Sequence, residues 1–299
     1  MLSISRLLVL ALVCAAVPGS LGAQTSALRL VVSFERPAVY PGEPVIAYVS
    51  IMNASNDAVT LPEQLGPEYA RIVYYVKQDD KPEVEFRPWA LMENQRIVEL
   101  PARQTRQEQA RIFFGANGWT FASPGTYHVR AVLGRAASEP AELTVQRPAS
   151  DTERAQSERI TASREAGFFL LFDGGDHLSA GRDLLRDIAG TNTRFAGFAS
   201  YALGASLGKR FADLQTGALR APDPAAADAL LQRSESRLPA DAIYYQIQVK
   251  QRQIEMRVMQ GRQQEAIRMQ QDLNTLVRDK FLSRQLQDAV RAFATGAVK

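Results

Sequence analysis

The sequence predicts an α+β multidomain chain, an N-terminal antiparallel β-sandwich followed by an all-α part built of helical hairpins. Three observations predict it. Apolar residues alternate with polar ones between 28 and 147, they recur every three or four positions beyond 148, and one uninterrupted apolar run stands ahead of both. The resulting division is a signal peptide at 1–23, a sandwich at 24–147, a linker at 148–155 and a helical part at 156–299. A length of 299 residues fits two units of roughly 150 residues each.

The leading run is short. Arg6 supplies a positive charge, Leu7 to Val17 is apolar throughout, Pro18 and Gly19 break the helix, and Leu21-Gly22-Ala23 places a small residue where a signal peptidase cuts. About 11 residues fall well below the roughly 20 that span a bilayer, so the mature chain is expected to carry no transmembrane segment. The single cysteine, Cys14, lies inside this run, and the bulky Val13 before it disfavours lipid attachment. Once the segment is removed no thiol remains, and stability has to come from core burial rather than disulfides. The expected location is the periplasm or the medium of a bacterium.

Composition is that of a globular chain, 46% hydrophobic and 22% charged. With 35 Lys and Arg against 32 Asp and Glu, a net charge of +3 gives no basic stripe able to displace counterions from phosphates. Nucleic acid is excluded as a partner on that ground.

In the first part, Leu28, Leu30, Val32 and Phe34 alternate with polar neighbours, and so do Val45, Ala47, Val49 and Ile51 after the turn Tyr40-Pro41-Gly42-Glu43. Asn53 to Asp57 reads as a turn, and further strands are expected over 69–77, 94–100, 109–114, 127–133 and 141–146. Prolines fall between these runs, as a hydrogen-bonded ladder requires. The segment Ser123-Pro124-Gly125-Thr126-Tyr127-His128-Val129-Arg130-Ala131 resembles the penultimate strand of immunoglobulin-like domains, with Tyr127 at the tyrosine corner. Val39-Tyr40-Pro41-Gly42-Glu43-Pro44-Val45 resembles the first turn of exported bacterial versions. The resemblance implies a fold and no activity.

In the second part, Ser150 or Asp151 can cap the first helix after Pro148. Helical stripes follow at Tyr244, Ile247, Ile254 and Val258, at Ala266, Met269, Leu273, Leu276, Val277 and Phe281, and at Leu282, Leu286, Val290 and Phe293. Pro222, Pro224 and Pro239 stand at helix starts. Gly261-Arg262-Gln263-Gln264-Glu265-Ala266 resembles the turn inside a tetratricopeptide repeat, where a Gly ends one helix and an Ala five residues on lets the next pack close. Tyr201-Ala202-Leu203-Gly204 resembles the first helix of that family, which suggests an earlier pair running over 195–215 and 224–237.

The motifs that could carry chemistry lack their companions. Gly204-Ala205-Ser206-Leu207-Gly208 matches G-x-S-x-G, but it sits within a helical pattern, and both histidines, His128 and His177, precede the serine. Small residues four apart serve close helix contact instead. Ser206-Leu207-Gly208-Lys209 matches S-x-x-K without the downstream motifs of that chemistry, and Arg210 and a short glycine spacing rule out a phosphate loop. Asp173-Gly174-Gly175-Asp176-His177 has cation-ligand residue types without a coordination spacing, and is expected to be a capped glycine turn. Phe168 to Phe172 is expected in the core, as are Trp89, Trp119, Tyr74 and Tyr75, which could otherwise form a carbohydrate platform.

The sequence therefore assigns no catalytic, cofactor-binding or metal-binding residue and no cofactor. The functional expectation is an exported non-catalytic protein-binding or scaffold protein whose partner is another envelope or secreted protein. The alternatives are a secreted protease inhibitor of immunoglobulin-like type and a carboxylate-dependent glycoside hydrolase. N-terminal sequencing of the exported protein should begin just after Ala23, and a chain that still carried Leu2 or Leu7 would contradict the signal reading.

Overall fold

A computed structural model describes residues 27–94, 96–212 and 216–277, so the 1–23 signal segment, Cys14, Phe281 and the stripe from Leu282 to Phe293 lie outside the described residues. The first part holds strands β1 (Leu28–Phe34), β2 (Ala38–Val39), β3 (Ile46–Asn53), β4 (Val59–Pro62), β5 (Ile72–Gln78), β6 (Val84–Glu85) and β7 (Ile97–Leu100). It continues with β8 (Thr105–Arg111), β9 (Phe114–Gly115), β10 (Gly118–Trp119), β11 (Gly125–Leu133), β12 (Ala136–Ala137) and β13 (Ala141–Val145). One sheet has the order β1-β3-β8, and a second has β2-β13-β11-β5-β6 with β12 beside β11. All ladders are antiparallel except the short β2–β13 pair.

The alternation read from the sequence sets the register. In β1 and β3, Leu30 pairs with Ile51 and Val32 with Val49, and all four are buried. One expected strand is displaced. The apolar run placed a strand at 109–114, whereas β8 occupies 105–111 and leaves Ile112 and Phe113 outside any strand. Most of β8 is polar and half-buried or exposed; only Ala110 is buried, so this strand forms through its ladder with β3 and carries no hydrophobic period. Ile112, Phe113 and Phe114 are buried in the common core, where Phe114 meets Phe168 and Gly167 of α2.

Among the described residues seven helices follow: α1 (Asp151–Ala162), α2 (Arg164–Phe172), α3 (Ser179–Ala189), α4 (Phe195–Leu207), α5 (Pro224–Arg237), α6 (Ile243–Met259) and α7 (Gln263–Leu276). Together with the antiparallel sheets they make the chain α+β. Helix α1 starts within the expected 148–155 linker, and Ser150 caps it by accepting from Glu153 N–H at 3.2 Å. From α2 onward each helix packs against the next. Helix α4 ends at Leu207 rather than 215, and the two-residue strands β14 (Phe211–Ala212) and β15 (Leu219–Arg220) pair before α5. Pro224 opens α5 behind the Asp223 cap; Pro222 and Pro239 lie outside helices. The small residues of α4 act as spacers: a Cβ on Gly197 would lie 2.7 Å from Leu238 N, and one on Gly204 3.1 Å from Ala227 O.

One core runs through both parts. Gly167 of α2 rests on the Phe114 ring, where any side chain would overlap it. The 40–43 turn packs on α1, with Ser157 Oγ donating to Pro41 O at 2.8 Å. At the end of this turn Glu43 is fully buried between two arginines: Arg36 Nη1 at 2.7 Å from its own part, and Arg194 Nε at 2.6 Å from the residue before α4. Arg36 also donates to Pro44 O at 2.8 Å and lies over the Phe198 ring, while Arg194 covers Tyr40. Nearby, Glu35 accepts the N–H of Tyr244, which places an acid at the positive end of α6.

Removing one member of a buried ion group leaves uncompensated charge in the interior. Glu43→Gln is expected to cost about 3–5 kcal/mol of stability in urea unfolding. The same change at the exposed Glu142 should stay within about 0.5 kcal/mol.

Candidate functional site

The seam between sheet and helices opens into a groove of about 490 Å3. Its floor is Arg111 at the end of β8, Asp173 at the end of α2, and Tyr244 in the first turn of α6. Asp173 adopts a left-handed conformation, φ 54°, that stops α2 and turns its carboxylate back to the seam. Arg111 Nη1 donates to Asp173 Oδ1 at 2.9 Å and to Leu171 O at 2.7 Å; Nη2 donates to Asp173 Oδ2 at 3.1 Å and to the Tyr244 hydroxyl at 3.0 Å. Tyr201 completes the set by donating to Asp173 Oδ2 at 3.1 Å. Such a bidentate guanidinium–carboxylate pair is rigid as well as strong.

Burial works against the Arg111 charge, but the tyrosine oxygens and the Asp173 carboxylate around it outweigh that and raise its pKa. Burial, and then Asp173, push the Tyr201 hydroxyl far above its ordinary range, so it stays a donor. Lys209, which reaches the carbonyls of Phe172 and Asp173 at 3.3 Å each, has its pKa lowered by burial. Every polar group of this floor is engaged in holding another. The arrangement fixes shape and neutralises charge.

The rim is of a different character. Trp89, Met92 and Phe172 are 46%, 55% and 50% exposed, an unusual level for large apolar side chains grouped on one groove. Trp89 is held in place by an edge contact with Phe168 at 4.5 Å and by the Arg164 guanidinium 5.0 Å over its ring. Phe168 in turn meets Phe114 at 5.0 Å, so the rim is anchored to the seam. Glu68, from the short turn Pro67–Tyr69, adds a carboxylate with no cationic partner among the described residues.

Few of the residues singled out in the sequence meet here. In the Asp173–His177 loop, Asp173 binds Arg111, Asp176 binds Arg220 at 2.5 and 3.1 Å, and the His177 ring lies beside Phe211. The two carboxylates thus serve different arginines. Among the described residues no group of three or more His, Cys, Asp or Glu is placed to hold a metal. Ser206 is buried within α4 against Gly174. The four candidate platform aromatics are separate: Tyr74 is in the core, Tyr75 lies under Arg130, Trp89 is on the groove, and Trp119 packs on Phe113 and Phe114. Phe169 and Leu170 are core residues as expected, but Phe172 reaches the rim. The sequence reading has Tyr244 only as part of a helical stripe and does not mark Arg111. An arginine heading the apolar run Ile112-Phe113-Phe114 was the available signal.

Among the described residues no helix is long and apolar enough to cross a membrane. No family model and no curated protein sequence matches the chain. Among solved structures it is similar to a β-glucosidase of Erythrobacter marinus at 15% identity and TM-score 0.26, over 40% of this chain and 15% of that one. It is similar to a β-glucosidase of Listeria innocua at 18% identity and TM-score 0.25, over 40% and 16%. A sporulation control protein of Bacillus subtilis matches at 12% identity and TM-score 0.24, over 49% and 54%. The chain thus spans about one sixth of either glucosidase, and likenesses at this level carry no argument about fold or activity.

Asp173→Asn should destabilise the chain by about 3–5 kcal/mol, because it removes a buried carboxylate and strips the half-buried Arg111 of its counter-charge. Tyr201→Phe removes one hydrogen bond and should cost only about 1 kcal/mol. Urea denaturation of both variants beside the wild type measures the contrast.

Proposed function

We propose that this chain is an exported, non-catalytic protein-binding or scaffold protein that engages its partner through the seam groove. The observation carrying this reading is the rim of Trp89, Met92 and Phe172, exposed yet held rigidly over a charge-neutralised floor. Aromatic side chains immobilised in advance bind with little further loss of rotamer freedom, which is how a few residues dominate a protein interface. The partner fitting this surface is another envelope or secreted protein presenting apolar side chains and a basic group for Glu68. The location rests on the N-terminal apolar run, and the balanced charge argues against nucleic acid.

We read the two parts as an immunoglobulin-like sandwich joined to tetratricopeptide-like hairpins. Three features support this. The strand orders β1-β3-β8 and β2-β13-β11-β5-β6 follow the two-sheet pattern of that fold. Tyr127 donates its hydroxyl to Ser123 O at 2.9 Å, the bond that defines a tyrosine corner. Gly261 has φ +74° between α6 and α7, and Ala266 is buried at their contact. Both architectures provide binding surfaces.

The test compares the wild type with a Trp89→Ala, Phe172→Ala double variant in affinity capture from envelope and medium fractions. The wild type should retain a stoichiometric partner that the variant loses, with affinity down by about 2 kcal/mol or more, roughly thirtyfold. Equal melting temperatures must accompany the loss. Retention of the same partner by the variant would place binding elsewhere, and a partner-free wild type would overturn the reading.

A further inference from the structure

A second cavity, of about 340 Å3, shares Phe86 with the groove. Its volume falls within the roughly 300–1,000 Å3 of small-ligand sites. The walls are Val76, Pro82, Val84, Phe86, Trp119 and Tyr127. The two polar tips among these are turned away from it. Tyr127 donates its hydroxyl to Ser123 O, and Trp119 Nε1 reaches Ser163 O at 3.4 Å, so both rings offer the cavity carbon. A ligand rich in hydroxyls would find few partners on such walls, whereas a hydrocarbon body would leave none unpaired.

The mouth is polar, and its groups are unequally occupied. The Gln78 amide donates to Pro124 O at 3.2 Å and accepts from Lys81 Nζ at 2.7 Å. Among nearby acids, Glu83 is held by Arg130 at 2.7 and 2.8 Å, and Asp79 accepts the N–H of Thr126 at 3.0 Å. Arg87 is different. Its backbone is fixed, because Ala116 N–H donates to Arg87 O at 2.8 Å. Its guanidinium makes no ion pair or hydrogen bond with any described residue. At the lining itself, Lys81 and Arg87 face a single carboxylate, Glu85.

We propose that this cavity binds a small amphiphile with an apolar body and one anionic head, the size of a medium-chain fatty acid. The body fills the space between Phe86 and Trp119, and the head group meets the guanidinium of Arg87, whose fork matches a carboxylate. Trp89, Met92 and Phe172 of the proposed partner groove do not line this cavity.

The chain contains two tryptophans, so Trp89→Phe leaves Trp119 as the only tryptophan, read by excitation at wavelengths that tyrosine does not absorb. Decanoate, kept below its micelle concentration, should change Trp119 emission saturably in this full-length variant. Calorimetric titration of the wild type provides the same reading without substitution. Arg87→Gln, at an exposed position, should weaken decanoate by about three- to tenfold, as loss of one charged contact does. 1-Decanol should bind more weakly than decanoate by a similar factor. Absence of saturable binding in both measurements would overturn the proposal. So would an Arg87→Gln variant that binds decanoate like the wild type, or decanol binding as tightly as decanoate.

Discussion

Two buried carboxylates, one from each part of the chain, hold the sheets to the helices. Glu43 ends a turn of the sheet part and is gripped by Arg36 and, across the seam, by Arg194. Asp173 ends a helix and is gripped across the seam by Arg111. Each ion is costly to take from water, and its compensation depends on a partner that only the assembled seam supplies. Apolar contacts lie along the same seam, Phe114 under Gly167 and Ile160 against Gly42. Charge here contributes less as a source of net stability than as a condition on geometry.

That condition reaches the surface. Arg111 brings the end of β8 to the end of α2, and the same junction carries Phe168, which supports Trp89, and Phe172, which stands exposed. The groove is therefore a product of the seam, with rigid walls because its floor is a saturated network of charge-assisted bonds. A polar floor in which every group is occupied is suited to presenting a surface and poorly suited to moving protons. This is the physical basis of the binding reading.

Much of the strand part was legible because burial on one face leaves a period of two. Leu30, Val32, Val49 and Ile51 announced β1 and β3 directly. Strand β8 was misplaced because backbone pairing with β3, rather than a hydrophobic face, determines it. The two-residue strands were invisible, since no periodicity can develop over two positions. Among the helices, Ser150, Gly261 and Ala266 were readable as local signals that need no tertiary context. The candidate site was scarcely legible. Arg111, Asp173, Tyr201 and Tyr244 come from four separate places in the chain, and only the folded core makes them neighbours. Asp173 was noticed for its loop, where aspartate and glycine types suggested a cation; its partner was an arginine more than sixty residues upstream.

If the clamps govern the fold, strands and helices should open as one unit despite the change of secondary structure at 145–151. Native-state hydrogen exchange tests this most directly. The most protected amides of β3 and β11 and those of α2 and α4 should report the same opening free energy, equal to that of global unfolding. Helix amides that exchanged through a separate, lower-energy opening while the strands stayed protected would contradict the account.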